Sequence, residues 1–177
     1  MRAYQPRGTD VVDAYSADMD QRVEIVDTGS RWAKAARVTI DAPAAAIFDV
    51  LADPRMHSRF DGSGTVVELA SGPERLAQGS RFGMGMRIKV PYRTENEVVE
   101  FEEDRLIAWC HFNKHRWRYE LEPVDDTTTV VIETFDARTA LFPPALILMN
   151  AYHNNQRAVT HTLARLKALV EATTASA

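Results

Sequence analysis

The chain has 177 residues, of which 45% are hydrophobic and 26% charged, as is typical of a soluble globular domain with a substantial core. Its formal net charge of −4 argues against a partner such as nucleic acid, whose phosphates require clustered Lys and Arg. No apolar run approaches the ~20 residues of a membrane span, and residues 1–10 lack the apolar segment of a signal peptide. Cys110 is the only cysteine, so an internal disulfide is excluded and we expect a cytoplasmic protein.

The first segment of the chain, residues 1–29, is polar. Only Val23–Val26 has the composition of a strand. We therefore expect an N-terminal arm that is either flexible or adds an edge strand to the sheet of the domain that follows.

Alternation of apolar and polar side chains over residues 31–40 predicts the first strand of that domain. Pro43 then opens a short helix. Asp53 and Pro54 supply a cap and a first-turn proline, which predict a second short helix over 55–60.

Beyond this point strand patterns follow one another with short turns between them, which predicts an antiparallel meander. Gly83 and Gly85 lie on the same face of one of these strands, where a sheet can bend sharply. The six predicted strands cover residues 65–69, 80–90, 92–101, 106–112, 116–122 and 128–135.

The last element is a long helix predicted over residues 143–171, with a proline pair at its first turn. Gln156 lies in the middle of its apolar stripe, where an unpaired buried amide would cost about 1–3 kcal/mol. We therefore expect the Gln156 side chain to have a hydrogen-bond partner or to face a space that contains solvent or ligand. The stripe consists of Ala145, Met149, Tyr152, Gln156, Val159, Leu163, Leu166 and Val170.

Together these elements predict an α+β fold in which a curved seven-stranded antiparallel sheet wraps around the long C-terminal helix, with two short helices after the first strand. Many side chains expected to face the helix are wide, soft or polar, which favours a ligand cavity over a filled core. The predicted cavity-lining residues are Phe60, Met84, Met86, Tyr92, Thr94, Asn96, Trp117, Tyr119, Phe142, Met149, Tyr152 and Gln156.

The sequence offers no metal or cofactor motif. His111 and His115 are four apart but straddle a predicted strand end, and His153 and His161 are eight apart on the helix. Neither pair therefore has the i, i+4 helical geometry of a zinc motif. Neither the pair Gly62 and Gly64 nor the pair Gly83 and Gly85 lies between a strand and a following helix, where a phosphate-binding loop must be. The Gly-x-Ser-x-Gly motif of serine hydrolases is also missing from the sequence. We expect no cofactor and no metal. Acid/base candidates for such a cavity are Tyr92, Tyr119, Tyr152, His111 and Asp136.

The segments VTIDAPAAAIFDVLADPRMHSRF, TENEVVEFEEDRLIAW and WRYELEPVDDTTTVVIETFD, with the long final helix, resemble the SRPBCC superfamily. This group includes START domains, birch-pollen-allergen-like proteins and the polyketide cyclase/dehydrase family. The resemblance implies a helix-grip domain over 30–172, preceded by the arm at 1–29 and followed by a tail at 173–177. It also implies a hydrophobic cavity between the sheet and the long C-terminal helix, entered near the short helices and the loops at Gly72 and 138–143. It supplies no catalytic residue that transfers by position.

Three functions remain open at this point. The first is a binding protein for a hydrophobic small molecule, lipid-like or polyketide-like. The second is a polyketide cyclase or dehydratase that acts on a ligand in the same cavity, so whether the protein is an enzyme is undecided. The third is an interaction module without a native small ligand, motivated by the arm and by the acidic segment at 100–104. A homodimer is compatible with each of them.

Overall fold

The computed structural model describes residues 23–142 and 151–175 of the chain. The order of elements is the predicted one, with one strand added at the start. The elements are β1 (Val23–Val26), β2 (Ala33–Ile40), α1 (Ala44–Ala52), α2 (His57–Phe60), β3 (Val66–Ser71), β4 (Arg81–Arg87), β5 (Pro91–Glu102), β6 (Leu106–Cys110), β7 (Arg116–Asp125), β8 (Thr128–Asp136) and α3 (Ala151–Thr174). Within these two ranges, no helix has the length and apolar character that crossing a membrane requires.

The strands form one antiparallel sheet in the order β1-β2-β8-β7-β6-β5-β4-β3. Hairpins join β3 through β8 in sequence. β2 pairs with β8, and α1 and α2 carry the chain from β2 to β3 at the far edge of the sheet. The predicted α+β helix-grip fold is confirmed. The eighth strand is β1, which comes from the segment expected to be an arm or an edge strand and pairs with β2, Val23 opposite Val38.

The register of the sheet places most of the predicted inward side chains on one face. Met84 of β4 lies opposite Thr94 of β5, and Met86 lies opposite Tyr92. Because side chains alternate between faces along each strand, these four share the concave face. That face carries the core on which α3 packs.

Helix α3 closes the sheet with an aliphatic stripe. Val159, Leu163 and Leu166 are completely buried, as the helical period predicts. Gln156 is half-buried, and its Nε2 donates a hydrogen bond of 3.2 Å to the carbonyl of Ala35 on β2. This amide therefore has a protein partner. The predicted start of the helix, with Met149, lies outside the described residues, as does the side chain of Tyr152.

The loop between α2 and β3 holds the middle of α3. Thr162 Oγ1 of α3 accepts a hydrogen bond of 2.9 Å from the backbone N–H of Gly62. Arg165 donates to the carbonyl of Asp61 at 2.5 Å. A Cβ at Gly62 would lie 2.2 Å from the backbone nitrogen of Thr162, so the two backbones are in direct contact. This contact fixes the helix against the rest of the fold.

Candidate functional site

An opening in the sheet lies between β5 and the turn that follows β6. The pairing of β5 with β6 begins at Glu97, opposite Cys110, where β6 ends. Residues 91–96 of β5 therefore pair only with β4 among the described strands. The chain leaves the sheet at residue 111 and returns in β7 at Arg116.

A cavity of about 430 Å³ occupies this opening, which we call the mouth cavity. Its volume lies within the range of about 300–1,000 Å³ that is usual for small-molecule sites. It is open to solvent and is lined by both apolar and charged groups. The lining consists of Arg81, Tyr92, Arg93, Thr94, Glu95, Asn96, Glu97, Cys110, His111, Phe112 and Lys114.

Hydrogen bonds attach the turn over residues 111–115 to the segment that leads toward α3. The backbone carbonyl and side-chain oxygen of Asn113 accept hydrogen bonds from the N–H groups of Leu141 and Phe142, at 3.0 and 3.2 Å. Thr139 Oγ1 donates to the carbonyl of Lys114 at 2.8 Å. Lys114 has a φ of 60°, an uncommon conformation for a residue with a side chain. The turn that forms one wall of the mouth cavity is thus held by hydrogen bonds to the loop over residues 139–142.

Two neutral imidazoles lie within that turn. The rings of His111 and His115 meet edge to face with centroids 4.2 Å apart. Burial lowers the pKa of His111, and burial together with His111 lowers the pKa of His115 to about 3. Neither Nδ1 has a hydrogen-bond partner among the described residues. No group of three or more His, Cys, Asp or Glu in the described parts of the chain is arranged to hold a metal ion.

The predicted lining residues fall into two groups. Tyr92, Thr94 and Asn96 line the mouth cavity, and the Asn96 amide donates to the carbonyl of Phe82 at 3.4 Å. The others that the structure describes do not line it. Phe60, Met84 and Tyr119 are buried in the core, Met86 and Trp117 are half-buried against it, Phe142 is exposed, and Gln156 binds Ala35.

A second polar group lies deeper, on the concave face of the sheet. Tyr119 of β7 and Glu133 of β8 are directly opposite in the register, and the tyrosine hydroxyl donates to Glu133 Oε1 at 2.9 Å. We call this pair the buried dyad. Glu133 is only 1% exposed, and its Oε2 has no hydrogen-bond partner among the described residues.

The environment of the buried dyad favours uncharged forms. Burial raises the pKa of Glu133 well above its ordinary value. Burial, with the nearby Glu133, likewise raises the pKa of Tyr119. Glu133 Oε1 already accepts the hydrogen bond of the tyrosine hydroxyl, so we assign the proton of the neutral carboxyl group to Oε2. Because Oε2 has no hydrogen-bond partner near it, the protonated Glu133 Oε2 is a hydrogen-bond donor without an acceptor among the described residues.

An aromatic stack extends from the dyad toward α2. Trp109 of β6 stacks on Tyr119 at 5.3 Å and on His57 at 4.6 Å. The His57 Nε2 lies 2.9 Å from the carbonyl of Leu51, which assigns the proton to that nitrogen. Burial lowers the pKa of His57 to about 4, so the ring is neutral at physiological pH. Protein side chains therefore fill the space between the dyad and α2.

Replacing Glu133 by glutamine is expected to raise stability at alkaline pH. Glutamine keeps the acceptor for Tyr119 but cannot ionise. Because the folded-state pKa of Glu133 is raised, its contribution to stability is complete below about pH 4.5 and is lost as the pH rises toward that folded value. In urea denaturation the two proteins should be similar at pH 4 and should diverge in favour of Glu133→Gln at pH 8. Parallel pH profiles would contradict the buried neutral carboxyl, and Glu122→Gln on the exposed end of β7 serves as control.

The sequence interpretation missed Glu133, although the chain carries a signal for it. Thr129, Val131, Glu133 and Phe135 occupy alternate positions in β8, all of them buried. An acidic side chain at an inward-facing position of a strand lowers the stability of the fold unless it is paired or hydrogen-bonded, so its presence there suggests a function. The alternation along β8 alone therefore singles out Glu133 as a candidate functional residue. His111, one of the predicted acid/base candidates, does line the mouth cavity, whereas the charged residues of its lining gave no comparable signal.

Comparison with protein families gives one match over most of the chain. The family described as "Polyketide cyclase / dehydrase and lipid transport" matches residues 31–171. The uncharacterized protein Rv0088 of Mycobacterium tuberculosis strain H37Rv is 40% identical over 119 residues, which are 67% of this chain and 53% of that protein. MT0096 of strain CDC 1551 matches to the same extent. The chain thus spans about half the length of these curated relatives.

Solved structures of low sequence identity share the fold. Protein NE0264 from Nitrosomonas europaea gives a TM-score of 0.63 at 12% identity, with 85% of this chain and 99% of that one covered. Protein Ms6760 from Mycobacterium smegmatis gives 0.61 at 17% identity, covering 85% and 98%. The Polyketide_cyc-like protein Cgl2372 from Corynebacterium glutamicum gives 0.52 at 17%, covering 81% and 93%. At these identities the similarity establishes the fold alone.

Proposed function

The chain belongs to the polyketide cyclase / dehydrase and lipid transport family, and we propose from that premise that it binds a hydrophobic small molecule, lipid-like or polyketide-like. The observation that carries the proposal is the mouth cavity, which opens beside the inward-facing side chains of β5. Its lining includes Tyr92, Thr94 and Asn96, which are aromatic, hydroxyl-bearing and amide residues. A mixed lining of this kind suits an apolar ligand with a few oriented polar atoms.

The edge of β5 adds a means of orienting such a ligand. Over residues 91–96 the side of the strand that faces the cavity has no partner among the described strands. Backbone N–H and C=O groups there are available to polar atoms of a ligand. We therefore place the polar end of the ligand against this edge and its apolar body toward Tyr92 and Phe112.

A cavity-filling substitution tests the proposal. Thr94→Phe adds a ring in a space of about 430 Å³ and should weaken binding of the fluorescent apolar probe 1-anilinonaphthalene-8-sulfonate at least tenfold. Thr39→Phe, on an exposed position of β2, should bind the probe like the unchanged protein. Equal probe binding by all three proteins, or none by any, would contradict a ligand site in the mouth cavity.

A second candidate function, a cyclase or dehydratase, would use the buried dyad, which a substrate reaches only when the side chains that cover it move aside. A neutral carboxyl with an unused Oε2–H can give its proton to a carbonyl oxygen of a substrate, which is the acid half of such chemistry. Glu133→Gln keeps a hydrogen-bond donor in that position but cannot transfer the proton. Turnover of a polyketide-like substrate that survives Glu133→Gln unchanged would eliminate this role.

A further inference from the structure

Exposed apolar side chains are concentrated around the mouth cavity. The described residues include nine large hydrophobic side chains that are exposed, and six of these lie at this end of the molecule. Tyr92 and Phe112 line the cavity itself. Ile88 and Val90 form the β4–β5 hairpin tip just before Tyr92, while Leu141 and Phe142 bind Asn113, next to Phe112. We call these six the apolar rim. Their exposed fractions are 64% for Ile88, 69% for Val90, 41% for Tyr92, 81% for Phe112, 73% for Leu141 and 62% for Phe142.

The charges among the apolar rim are mostly positive, on a chain whose net charge is −4. Residues 87–93 read RIKVPYR and contain three cations and no acid. Arg87, Lys89 and Arg93 form no ion pair within 4 Å among the described residues. Three acids lie nearby: Glu68 of β3, which is opposite Gly85 in the register as Arg93 is on the other side, and two residues further along β5. Glu95 lines the mouth cavity, and Glu97 lies 3.7 Å from Arg81 and 4.0 Å from Lys114.

Cations interleaved with exposed apolar side chains match the chemistry of an anionic membrane surface. Such a surface takes apolar side chains at the headgroup boundary and attracts nearby Lys and Arg. The net negative charge of the whole chain is repelled by the same surface, which favours approach by the basic end alone. Exposed apolar side chains that are grouped together, as these six are, commonly mark an interaction site.

We propose that the apolar rim, with Arg87, Lys89 and Arg93, docks the protein on an anionic lipid bilayer. The mouth cavity then opens at headgroup level, and Ile88, Val90 and Phe112 enter the boundary between headgroups and acyl chains. This docking surface adds to the proposed function but does not depend on it, because the rim and its charges are present whether or not the cavity holds a ligand.

Co-sedimentation with vesicles of phosphatidylcholine, with and without phosphatidylglycerol, tests the docking. The unchanged protein should pellet with the anionic vesicles and remain largely in solution with the neutral ones. Added salt should weaken the binding, since exposed charges are screened. Each reversal of charge at the tip should lower binding by about fivefold or more, as expected for a cation near an anionic bilayer.

Matched variants separate the docking surface from general effects. Arg87→Glu at the tip is paired with Arg105→Glu, which lies at the opposite end of β5 beside the β5–β6 turn. Phe112→Ser is paired with Val124→Ser, an exposed apolar residue at the opposite end of β7. The two rim variants should lose vesicle binding and the two distant variants should keep it, with unchanged melting temperatures.

Three results would overturn the docking. Equal binding to neutral and anionic vesicles would remove the electrostatic argument. Unchanged binding by both rim variants would place the contact elsewhere. A dimer in sedimentation velocity that Phe112→Ser dissociates, without vesicle binding, would assign the rim to a second copy of the chain. Binding of 1-anilinonaphthalene-8-sulfonate by Arg87→Glu reports separately on the ligand site, so the two proposals fail independently.

Discussion

Gly62→Ala is expected to destabilise the protein by about 3 kcal/mol or more, as overpacking against a rigid element does. An added Cβ would lie 2.2 Å from the backbone nitrogen of Thr162, 2.4 Å from the carbonyl oxygen of Ala158 and 2.6 Å from the carbonyl carbon of His161. All three atoms belong to the backbone of α3, which cannot turn aside as a flexible side chain can. The loop must therefore separate from the helix and lose the hydrogen bond to Thr162. Urea denaturation measures the loss.

Gly64→Ala is the matched control for this substitution. Gly64 lies two residues further along the same loop, has a φ of +67°, and would place a Cβ with no atom within 4 Å. Its replacement should cost about 1 kcal/mol through backbone conformation alone. Similar losses for the two variants would contradict the close backbone contact at Gly62, and a fully stable Gly62→Ala protein would do so more directly.

Acidification is the second change with a large expected effect, and the buried histidines His57 and His115 both contribute to it. The folded state keeps this ring neutral down to about pH 4, whereas the unfolded chain binds a proton below pH 6.5. Protons therefore favour the unfolded state between these values, and stability falls as the pH drops through this window. The loss from His57 alone should reach about 3 kcal/mol at pH 4.

The variant His57→Phe isolates that contribution. Phenylalanine preserves a ring to stack on Trp109 but gives up the hydrogen bond to the Leu51 carbonyl, at a cost of about 1 kcal/mol near pH 7. Between pH 7 and pH 4 it should then lose markedly less stability than the unchanged protein. His115 acts in the same direction in both proteins, so the difference belongs to His57. Identical acid profiles would show that the buried ring does not control acid stability.

Glu133 changes the stability of the fold with pH in the opposite direction to His57. Its raised pKa makes the protein less stable as the pH rises above about 4.5, while the lowered pKa of His57 makes it less stable below 6.5. Between about pH 4.5 and 6.5 the effects of these two groups on stability oppose each other, and the lowered pKa of His115 moves the stability maximum toward the upper end of that range. Both side chains are buried, and apolar residues in their places would have avoided these costs.

Most of the fold could be predicted because its elements bury one face each. Alternation in the strands and the helical stripe at Val159, Leu163 and Leu166 directly record that burial. The four-residue strand β1 carries little such information, since Ile25 is 68% exposed and the strand pairs on one edge only. Its addition to the sheet depends on pairing with β2, which no local pattern specifies.

The candidate site was harder to predict because it depends on where pairing stops. The pattern at 106–112 predicts one strand, but β6 ends at Cys110, and the next two residues turn out of the sheet to become a wall of the mouth cavity. The pattern at 80–90 likewise predicts one strand, whereas β4 ends at Arg87 and residues 88–90 form the exposed tip. Two or three residues at a strand end decide whether a side chain lines a cavity, and such boundaries are set by tertiary contacts.

Native mass spectrometry of protein purified from its own host, beside Thr94→Phe prepared in the same way, tests the ligand-binding claim most directly. We expect the unchanged protein to carry an additional mass from an apolar compound that organic solvent extracts. The cavity-filled Thr94→Phe protein should show only the mass of its own chain. A ligand-free mass for the unchanged protein, or equal ligand in both, would contradict a hydrophobic-ligand site in the mouth cavity.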